Sequence, residues 1–492
     1  MLGTASDVGK SLIATALGRL LRDAGADVAP FKAQNMSLQA GVTAAGGEMS
    51  RAQILQAQAC RLPPHVDMNP VLLKPVTQRN AEVIVLGHAR GTSAAGDYFR
   101  PENPLRDVAD QALDRLAARH DVVVLEGAGS PVELNLMDRD FVNLRPARRV
   151  NAALVLVADI DRGGVFAQVK GTLDLLPRED RARVLGVIVN RFRGDPALFD
   201  DGIALLEQLG GCPVLAVVPW LVHGLDEEDR PLSLPIDAAP VPGKLNVAVV
   251  LHPHVANTDD MMPLLAEPDV AVTWVTGPAG IAGRDLIILP GSKATVADLL
   301  HHTASGLTDA LATAAGGGAW LLGLCGGYQM LGHRLRDPLG TDGPAGEWPG
   351  LALLPVDTAF TADKHLGATT FQSAWPVAGH TLAGYEIHRG RTSASARSTD
   401  QVSPATALVE GAGPEVGVAS GTTVGCYLHG LLAADGWRRD LLNLLRRRRN
   451  LAEQPASRPD PLDIRIDRWS QHVASAFRDD AWRRIRGACG LD

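Results

Sequence analysis

The stretch Gly3-Thr-Ala-Ser-Asp-Val-Gly-Lys-Ser11 lies at the start of the chain, and apolar residues recur at helical spacing directly after it, as at Ile13 and Leu17. A glycine-rich loop in front of a helix turns backbone N–H groups toward a phosphate, and the helix dipole adds to the attraction. Lys10 can reach the terminal phosphates of a nucleotide, and Ser11 can hold Mg²⁺. The loop has one residue more before Gly-Lys than the usual pattern. It still predicts a nucleotide-binding loop in a parallel α/β sheet.

Short, continuously apolar runs follow along the chain, as expected for strands that are buried on both faces of a parallel sheet. They lie at 122–125, 154–157, 187–189, 214–218, 247–250, 270–272, 286–289 and 320–322. Residues 226–244 are acidic and then proline-rich, which is typical of a linker. We therefore predict two parallel-sheet α/β domains. The predicted organisation is an N-terminal nucleotide-binding domain over 1–225, a linker over 226–244, a second domain over 245–440 and a helical tail over 441–492.

Composition and charge exclude several classes of protein. The chain has 492 residues, of which 46% are hydrophobic and 21% charged, and this excludes a mainly disordered chain. A net charge of −8 with 4% aromatic residues disfavours a nucleic-acid binder. The 5 cysteines are far apart, which fits neither a disulfide scaffold nor a standard zinc module and indicates a reducing compartment. The sequence shows no signal peptide and no apolar run long enough for a membrane span. We expect a cytoplasmic protein that binds neither nucleic acid nor membranes, and we leave its oligomeric state open.

A second motif, W-L-L-G-L-C-G-G-Y-Q-M-L-G, covers residues 320–332 and places Cys325 between glycines where an apolar strand runs into a helix. The glycines relieve crowding at such a turn, and the helix N-terminus favours the thiolate. A cysteine nucleophile needs a base, and His429 follows a β-like run later in the chain. Gly291 follows another predicted strand, so its backbone N–H and that of Gly326 are candidates for an oxyanion hole. The pattern predicts a Cys–His catalytic pair.

The first motif, in its variant form G-T-x-S-D-x-G-K-S, resembles the loop of the dethiobiotin synthetase-like ATPases. Glu126 opens E-G-A-G-S and resembles the second magnesium-binding segment of that family. Glu48 lies where relatives carry a carboxylate near the metal, and Asn190 resembles their adenine-reading asparagine. The resemblance implies ATP and Mg²⁺. The implied ATP-binding residues are Thr4, Asp7, Gly9, Lys10, Ser11 and Asn190, and the implied metal ligands are Ser11, Glu48 and Glu126.

Residues 245–435 resemble the class I glutamine amidotransferases, which implies that Cys325 attacks the amide of glutamine and that His429 moves the proton as ammonia is released. Most members of this family carry His-x-Glu, whereas Leu431 stands at the third position here. The cobyric and cobyrinic acid amidotransferases share this absence. The group that orients His429 is left open.

Four further segments resemble the cobyric acid amidotransferase family, and they lie at 31–37, 68–75, 159–166 and 384–388. The resemblance implies ATP- and glutamine-dependent amidation of the b, d, e and g carboxylates of a corrinoid, adenosylcobyrinic acid a,c-diamide. Lys32, Asn35 and Lys74 are candidates for binding this polyacidic substrate. One alternative is the sister activity, that of a cobyrinic acid a,c-diamide synthase. The other is a P-loop switch ATPase of the partition type, which would leave Cys325 and His429 unexplained.

The beginning of the sequence carries a further expectation. Only Met1 and Leu2 precede Gly3, although a phosphate loop usually follows a complete central strand. Each aliphatic side chain that such a strand buries contributes about 1.5–3 kcal/mol. We therefore expect the natural start to lie upstream and to encode an apolar, β-branched stretch.

Overall fold

The computed structural model describes residues 1–76, 80–94, 104–225, 234–396, 404–455, 461–478 and 480–491. The chain forms two compact units. Unit 1 comprises Met1–Ser37, Gly47–Asp229 and Asp460–Asp492, and unit 2 comprises Leu38–Gly46 and Arg230–Pro459. Both units are α/β and contain parallel sheets, which confirms the predicted fold class.

The strands, in chain order, are β1 Leu2–Gly3, β2 Val28–Phe31, β3 Gln34–Met36, β4 Ala40–Val42, β5 Glu48–Ser50, β6 Val71–Pro75, β7 Asn80–Val85, β8 His88–Ala94, β9 Val122–Leu125, β10 Leu154–Asp159, β11 Val184–Phe192, β12 Val214–Pro219, β13 Leu245–Val250, β14 Val255–Ala256, β15 Val270–Val275, β16 Leu286–Leu289, β17 Gly291–Ser292, β18 Trp320–Leu324, β19 Arg334–Asp337, β20 Gly346–Pro349, β21 Val356–Gln372, β22 Thr381–Ala394, β23 Thr406–Ala407, β24 Gly417–Ser420 and β25 Thr423–Cys426.

The α-helices are α1 Lys10–Asp23, α2 Arg51–Ala59, α3 Leu105–Ala117, α4 Leu144–Arg149, α5 Val165–Leu175, α6 Arg178–Arg181, α7 Asp200–Gly210, α8 Met262–Leu265, α9 Thr295–Ala304, α10 Leu307–Gly316, α11 Gly326–Leu331, α12 Asp435–Arg448, α13 Leu462–Ser475 and α14 Ala481–Ala488. Short 3₁₀ turns lie at Val66–Met68, Pro196–Phe199, Thr258–Met261, Pro278–Gly280 and Leu431–Ala433. Within the described ranges, no helix is both long enough and apolar enough to cross a membrane.

The central sheet of unit 1 has the strand order β1-β10-β11-β12, and all its strands are parallel. Every residue of β10 is buried, as expected for a strand that is covered on both faces. The pair β2–β9 and the four-stranded sheet β3-β6-β7-β8 lie in the same unit. The strand β1 has two residues, and its Leu2 pairs with Leu156. The loop that follows β1 therefore starts at the carboxyl edge of the sheet, where open α/β proteins bind their ligands.

Two helices from the C-terminal part of the chain complete unit 1. The indole N–H of Trp469 in α13 donates to the carbonyl oxygen of Leu12 in α1 over 2.7 Å. Ile466 and Val473 of α13 share a buried cluster with Leu12 and Leu17. Helix α1 carries the phosphate-loop lysine at its first position, so α13 covers the helix on which the nucleotide loop depends.

The main sheet of unit 2 has the order β15-β13-β16-β18-β25-β24-β23, and its first five strands are parallel. β18 lies between β16 and β25. Gly291 follows β16, Cys325 follows β18 and His429 follows β25. Because the carboxyl ends of parallel strands meet at one edge of a sheet, these residues lie at the same edge.

The observed unit boundaries differ from the predicted ones in two places. Residues Leu38–Gly46 belong to unit 2, although the sequence on both sides of them belongs to unit 1. The predicted tail over 441–492 is divided between the units, since α12 lies in unit 2 and α13 and α14 lie in unit 1. Helix α12 belongs to unit 2 because its buried Arg446 pairs with Asp269 of that unit over 2.7 Å. Part of the predicted linker, 226–233, lies outside the described residues.

Candidate active site

The phosphate loop of unit 1 is held in shape by its lysine. Lys10 is buried, and its Nζ donates to the carbonyl oxygens of Ala5 over 2.9 Å and of Gly129 over 3.1 Å. A Cβ on Gly3 would lie 2.9 Å from the carbonyl oxygen of Ala5 and 2.8 Å from this Nζ, so glycine at this position leaves room for their hydrogen bond. Asp7 has a φ of 56° and accepts hydrogen bonds from Arg191 and Arg162. The lysine thus joins the loop to the segment after β9, as the predicted nucleotide site requires.

Glu126 is a fully buried carboxylate at the end of β9. Its Oε1 accepts from Ser11 Oγ over 2.7 Å and from Lys32 Nζ over 2.8 Å. Burial alone would raise the pKa of Glu126, but Lys32 and hydrogen bonds from Ser11 and Gln56 hold the pKa below its usual value. A hydroxyl and an ionised carboxylate side by side are a donor set that suits Mg²⁺. The structure brings together two of the three predicted metal ligands, and Ser11 and Glu126 fit that role.

The third predicted ligand, Glu48, forms a buried ion pair with Lys74 over 2.9 Å. Asn35 donates to Ser50 Oγ and to Gln53 Oε1, both over 2.9 Å. The residues predicted to bind substrate thus have partners inside unit 1, since Lys32 and Lys74 each face a buried carboxylate. A substrate carboxylate would have to compete with these partners. The metal role of Glu48 and the three substrate roles stay predictions.

Asn190 and Thr4 fix the phosphate loop through side-chain hydrogen bonds. The amide Nδ2 of Asn190 donates to the carbonyl oxygen of Val8 over 2.9 Å. A Cβ on Gly9, whose φ is 91°, would lie 2.1 Å from the same Nδ2, so only glycine fits above Asn190. Thr4 Oγ1 donates to Gln168 over 3.1 Å. Asn190 is therefore engaged with the loop itself, and its reading of adenine stays a prediction.

In unit 2, Cys325 lies at a sharp turn between β18 and α11. Its φ is 51°, which is unusual for a residue with a side chain. A Cβ on Gly327 would lie 1.9 Å from the carbonyl oxygen of Leu289, and one on Gly323 would lie 2.7 Å from the backbone of Gly327. The two glycines of the motif therefore allow the close approach of β18, α11 and β16 that holds Cys325.

His429 is buried beside Cys325 and is oriented by a carboxylate. Its Nδ1 lies 2.7 Å from Oδ2 of Asp260, and the other oxygen of Asp260 accepts from the Gly430 N–H over 2.8 Å. The Tyr385 ring stacks on the imidazole, with ring centroids 5.0 Å apart. Burial alone would lower the pKa of His429, but Asp260 and a hydrogen bond with Cys325 hold the pKa above its usual value. Cys325, His429 and Asp260 are thus arranged in the order that a catalytic triad for acyl transfer needs, and their catalytic roles stay a prediction.

Asp260 is the residue that contacts Nδ1 of His429, and the sequence did not identify it. It lies in the 3₁₀ turn Thr258–Met261, 169 residues before His429. Leu431, where related enzymes carry glutamate, is buried in an apolar cluster. The tetrapeptide Asn257-Thr-Asp-Asp260 has no spacing to His429 that a sequence motif could detect. Only the fold reveals that this carboxylate lies where it can orient His429.

The predicted oxyanion residues lie at the same edge of the sheet. A Cβ on Gly291 would lie 3.5 Å from Cε1 of His429, and one on Gly326 would lie 2.8 Å from the backbone nitrogen of Ser292. Both glycine backbones are thus next to the Cys–His pair or to its neighbouring loop. Their role as oxyanion donors stays a prediction that this placement supports.

Strand β22 brings two unpaired acceptors to the nucleophile. The Sγ atom of Cys325 lies 3.6 Å from the carbonyl oxygen of Ile387, between Glu386 and His388. His388 donates from Nδ1 to the Gly390 carbonyl oxygen over 2.7 Å, and burial lowers its pKa to about 3, so its Nε2 is an acceptor. This Nε2 and Oε1 of Glu386 are buried without a hydrogen-bond partner among the described residues. The pair suits a ligand rich in N–H groups.

These two residues and His365 are also close enough to share a metal ion, and no other group of three His, Cys, Asp or Glu in the described ranges is. His365 Nε2 already lies 2.8 Å from the other oxygen of Glu386, Oε2. Glu386 and His388 are on β22, the strand that touches Cys325, whereas His365 is on β21. The two unpaired acceptors therefore lie on the strand beside the predicted nucleophile.

Comparisons with known proteins agree with both halves of this description. Residues 1–232 match the family described as the CobQ/CobB/MinD/ParA nucleotide binding domain, and residues 246–437 match the CobB/CobQ-like glutamine amidotransferase domain. Proteins named cobyric acid synthase from Chlorobium phaeobacteroides, Roseiflexus castenholzii and Chloroflexus aggregans are 47%, 46% and 45% identical to this chain. These matches cover 91%, 97% and 99% of this chain and 91%, 96% and 98% of the relatives.

The matches extend through both units and confirm the resemblance predicted from the motifs. They include the stretches that hold the phosphate loop and the Cys–His pair, so the likeness is not confined to one domain. The chain belongs to the cobyric acid synthase family.

Proposed function

We propose that this chain uses ATP and glutamine to amidate the b, d, e and g carboxylates of adenosylcobyrinic acid a,c-diamide, giving adenosylcobyric acid. The family supports the substrate class. The observation that carries the proposal is that one chain holds both a phosphate loop with Lys10, Ser11 and Glu126 and a triad of Cys325, His429 and Asp260. One site can activate a carboxylate, and the other can release ammonia.

The glutaminase chemistry follows from the triad. The Nδ1–H group of His429 donates to Asp260, so Nε2 is the atom that takes the proton of the Cys325 thiol. The thiolate attacks the amide carbon of glutamine, and backbone N–H groups stabilise the oxyanion. His429 then returns the proton to the departing nitrogen, which leaves as ammonia. Water hydrolyses the thioester and releases glutamate.

The synthetase chemistry is needed because a carboxylate is a poor electrophile. Transfer of the terminal phosphoryl group of ATP to a corrinoid carboxylate gives an acyl phosphate, which ammonia attacks with loss of phosphate. Lys10 would exchange the carbonyl oxygens of Ala5 and Gly129 for phosphoryl oxygens. Mg²⁺ held by Ser11 and Glu126 would supply further neutralisation of the phosphoryl charge.

Mass spectrometry of the corrinoid product tests the proposal. The protein is incubated with substrate, ATP and glutamine, and each amidation exchanges one OH for one NH₂. Four successive exchanges are the expected result. A parallel incubation with cobyrinic acid separates the sister activity: two exchanges on cobyrinic acid and none on the a,c-diamide would indicate it. ATP hydrolysis without any amidated product would contradict a synthetase role.

Asp260→Asn tests the orienting carboxylate. Both oxygens of Asp260 accept from N–H groups, on His429 and on Gly430, so an amide NH₂ at either place would face a donor. The neutral imidazole of His429 is then expected to carry its proton on Nε2. Nε2 can then no longer accept the proton of Cys325. We expect a fall in glutamate release of about 10²–10⁴-fold, with ammonia-dependent amidation unchanged. The neighbouring Asp259→Asn is the control, and an equal fall in that variant would contradict the assignment.

Glu386→Gln tests glutamine recognition. The unpaired Oε1 of Glu386 and Nε2 of His388 are placed to accept from the α-ammonium group of glutamine. Loss of the charged partner is expected to raise the KM for glutamine about 10-fold or more, because hydrogen bonds to charged groups are stronger than neutral ones. Steady-state kinetics measure this change, and the rate with ammonium chloride serves as the control. An unchanged KM would remove Glu386 from the substrate pocket.

A further inference from the structure

Residues Leu38–Gly46 lie against the glutaminase centre, and we call them the 38–46 segment. They belong to unit 2, although the chain enters and leaves them from unit 1. The side-chain oxygen of Gln39 accepts from the backbone N–H of Thr258 over 2.9 Å. Ala40 is fully buried; its N–H donates to Oδ1 of Asn257 over 3.1 Å, and its carbonyl oxygen accepts from the Tyr385 hydroxyl over 3.0 Å. The segment is thus bonded to the turn that carries Asp260.

Asn257 connects this segment to the catalytic histidine. Its Nδ2 donates to Nε2 of His429 over 3.3 Å, and its side chain is buried. The orientation of the amide is fixed, because the Ala40 N–H can only donate and therefore requires the oxygen of Asn257. As long as the 38–46 segment stays in place, His429 receives an N–H group from Asn257.

That arrangement opposes the first step of catalysis. Nε2 of His429 is the atom that must take the proton of Cys325. The NH₂ group of Asn257 faces this atom over 3.3 Å, so it opposes the protonated form of His429 that Asp260 and Cys325 favour. Once protonated, Nε2–H needs an acceptor, which a rotated Asn257 amide could provide through Oδ1. The rotated amide would then turn its NH₂ toward the N–H of Ala40, placing two donors face to face. The one oxygen of Asn257 can serve either Ala40 or protonated His429.

We propose that the 38–46 segment restrains the glutaminase through Asn257, and that its withdrawal lets Asn257 accept from protonated His429. The inference rests on the proposed function and assigns a regulation to it. The chain reaches the segment directly from β3, which carries Asn35, and leaves it toward β5, which carries Glu48. Both are candidate ligands in the synthetase unit, so substrate binding there has a covalent route to His429. Such restraint prevents the loss of ammonia before an acceptor is activated.

Two variants that loosen the segment test this inference. Tyr385→Phe keeps the ring that stacks on His429 but removes the hydroxyl that bonds Ala40, and Gln39→Ala removes the acceptor for Thr258. Glutamate release is measured without corrinoid and ATP. We expect this basal rate to rise about 5-fold, as for the loss of one hydrogen bond, and the stimulation by substrates to fall accordingly. The control is Gln372→Ala, which removes an exposed side-chain bond to Thr381 in the same unit.

A double-variant cycle separates restraint from a general effect on packing. Asn257→Leu can neither donate nor accept, so adding Tyr385→Phe to it is expected to give no further increase in basal rate. Alkylation of Cys325 by iodoacetamide is expected to be faster in Tyr385→Phe than in the wild type. Unchanged or lower basal rates in both Tyr385→Phe and Gln39→Ala, with unchanged alkylation, would overturn the inference. The corrinoid product is measured in the same preparations, because a wild type that makes none would instead contradict the proposed function.

Discussion

Cys325→Ala is expected to abolish glutamine-dependent amidation and to leave amidation with ammonium chloride largely intact. Without the thiolate no thioester can form, and no second cysteine among the described residues lies at a strand–helix turn beside a triad histidine. Added ammonia replaces the product of unit 2, while the phosphate loop belongs to unit 1 and is unchanged. The amidated corrinoid is quantified with each nitrogen source, and glutamate release is measured separately.

A matched cysteine variant makes this result specific. Cys212 is half-buried in unit 1, outside both sites, and Cys212→Ala is expected to keep both activities. If a folded Cys325→Ala protein lost the ammonia-dependent reaction as well, the two reactions would not be separable as proposed. Retained glutamine-dependent activity would mean that Cys325 is not the nucleophile.

Lys10→Ala is expected to have the opposite pattern. The rate of amidation should fall at least about 10²-fold with both glutamine and ammonia, because preorganised positive charge at a transferring phosphoryl group contributes on this scale. The loop should also lose shape, since Lys10 bridges Ala5 and Gly129. Glutamate release should persist, because the triad lies in unit 2. Formation of ADP and of the amidated corrinoid are measured together.

The control for this variant is an exposed lysine of the same unit. Lys170 pairs with Asp174 on the surface of α5, and Lys170→Ala is expected to leave both reactions unchanged. Normal amidation by Lys10→Ala would remove the loop from the ATP site. Simultaneous loss of glutamate release would show instead that the glutaminase depends on an intact synthetase site.

The parts of the sites that sequence predicts are those in which a continuous stretch carries the chemistry. The loop around Lys10 and the turn around Cys325 each combine a strand end, glycines and a helix start, and each glycine is needed for a close approach. His429 can be predicted in the same way, because it follows a strand that ends at the sheet edge where Cys325 lies. In such segments the local sequence is enough to predict the backbone conformation.

The parts that sequence does not predict depend on contacts between distant residues. Asp260 lies 169 residues from His429 and is one of 55 acidic residues in the chain, so its role follows only from the fold. The sequence also predicts cations for substrate binding, but it does not reveal that Lys32 and Lys74 face Glu126 and Glu48. The placement of residues 38–46 in unit 2 has no local signal, since a short loop between two strands has the same composition wherever it packs.

The packing of α13 on α1 has a consequence for synthesis on the ribosome. Helix α1 emerges early, but Trp469, Ile466 and Val473, which cover its apolar face, are made only after unit 2 has been translated. At about 5–20 residues per second, the stretch between α1 and α13 delays this cover by on the order of 20–90 s. During that time Leu12 and Leu17 lack the part of their final cover that α13 supplies, and exposed apolar surface of this kind is what chaperones bind. A premature stop codon anywhere in the glutaminase half would therefore remove α13 as well and leave the ATPase unit with an incomplete core.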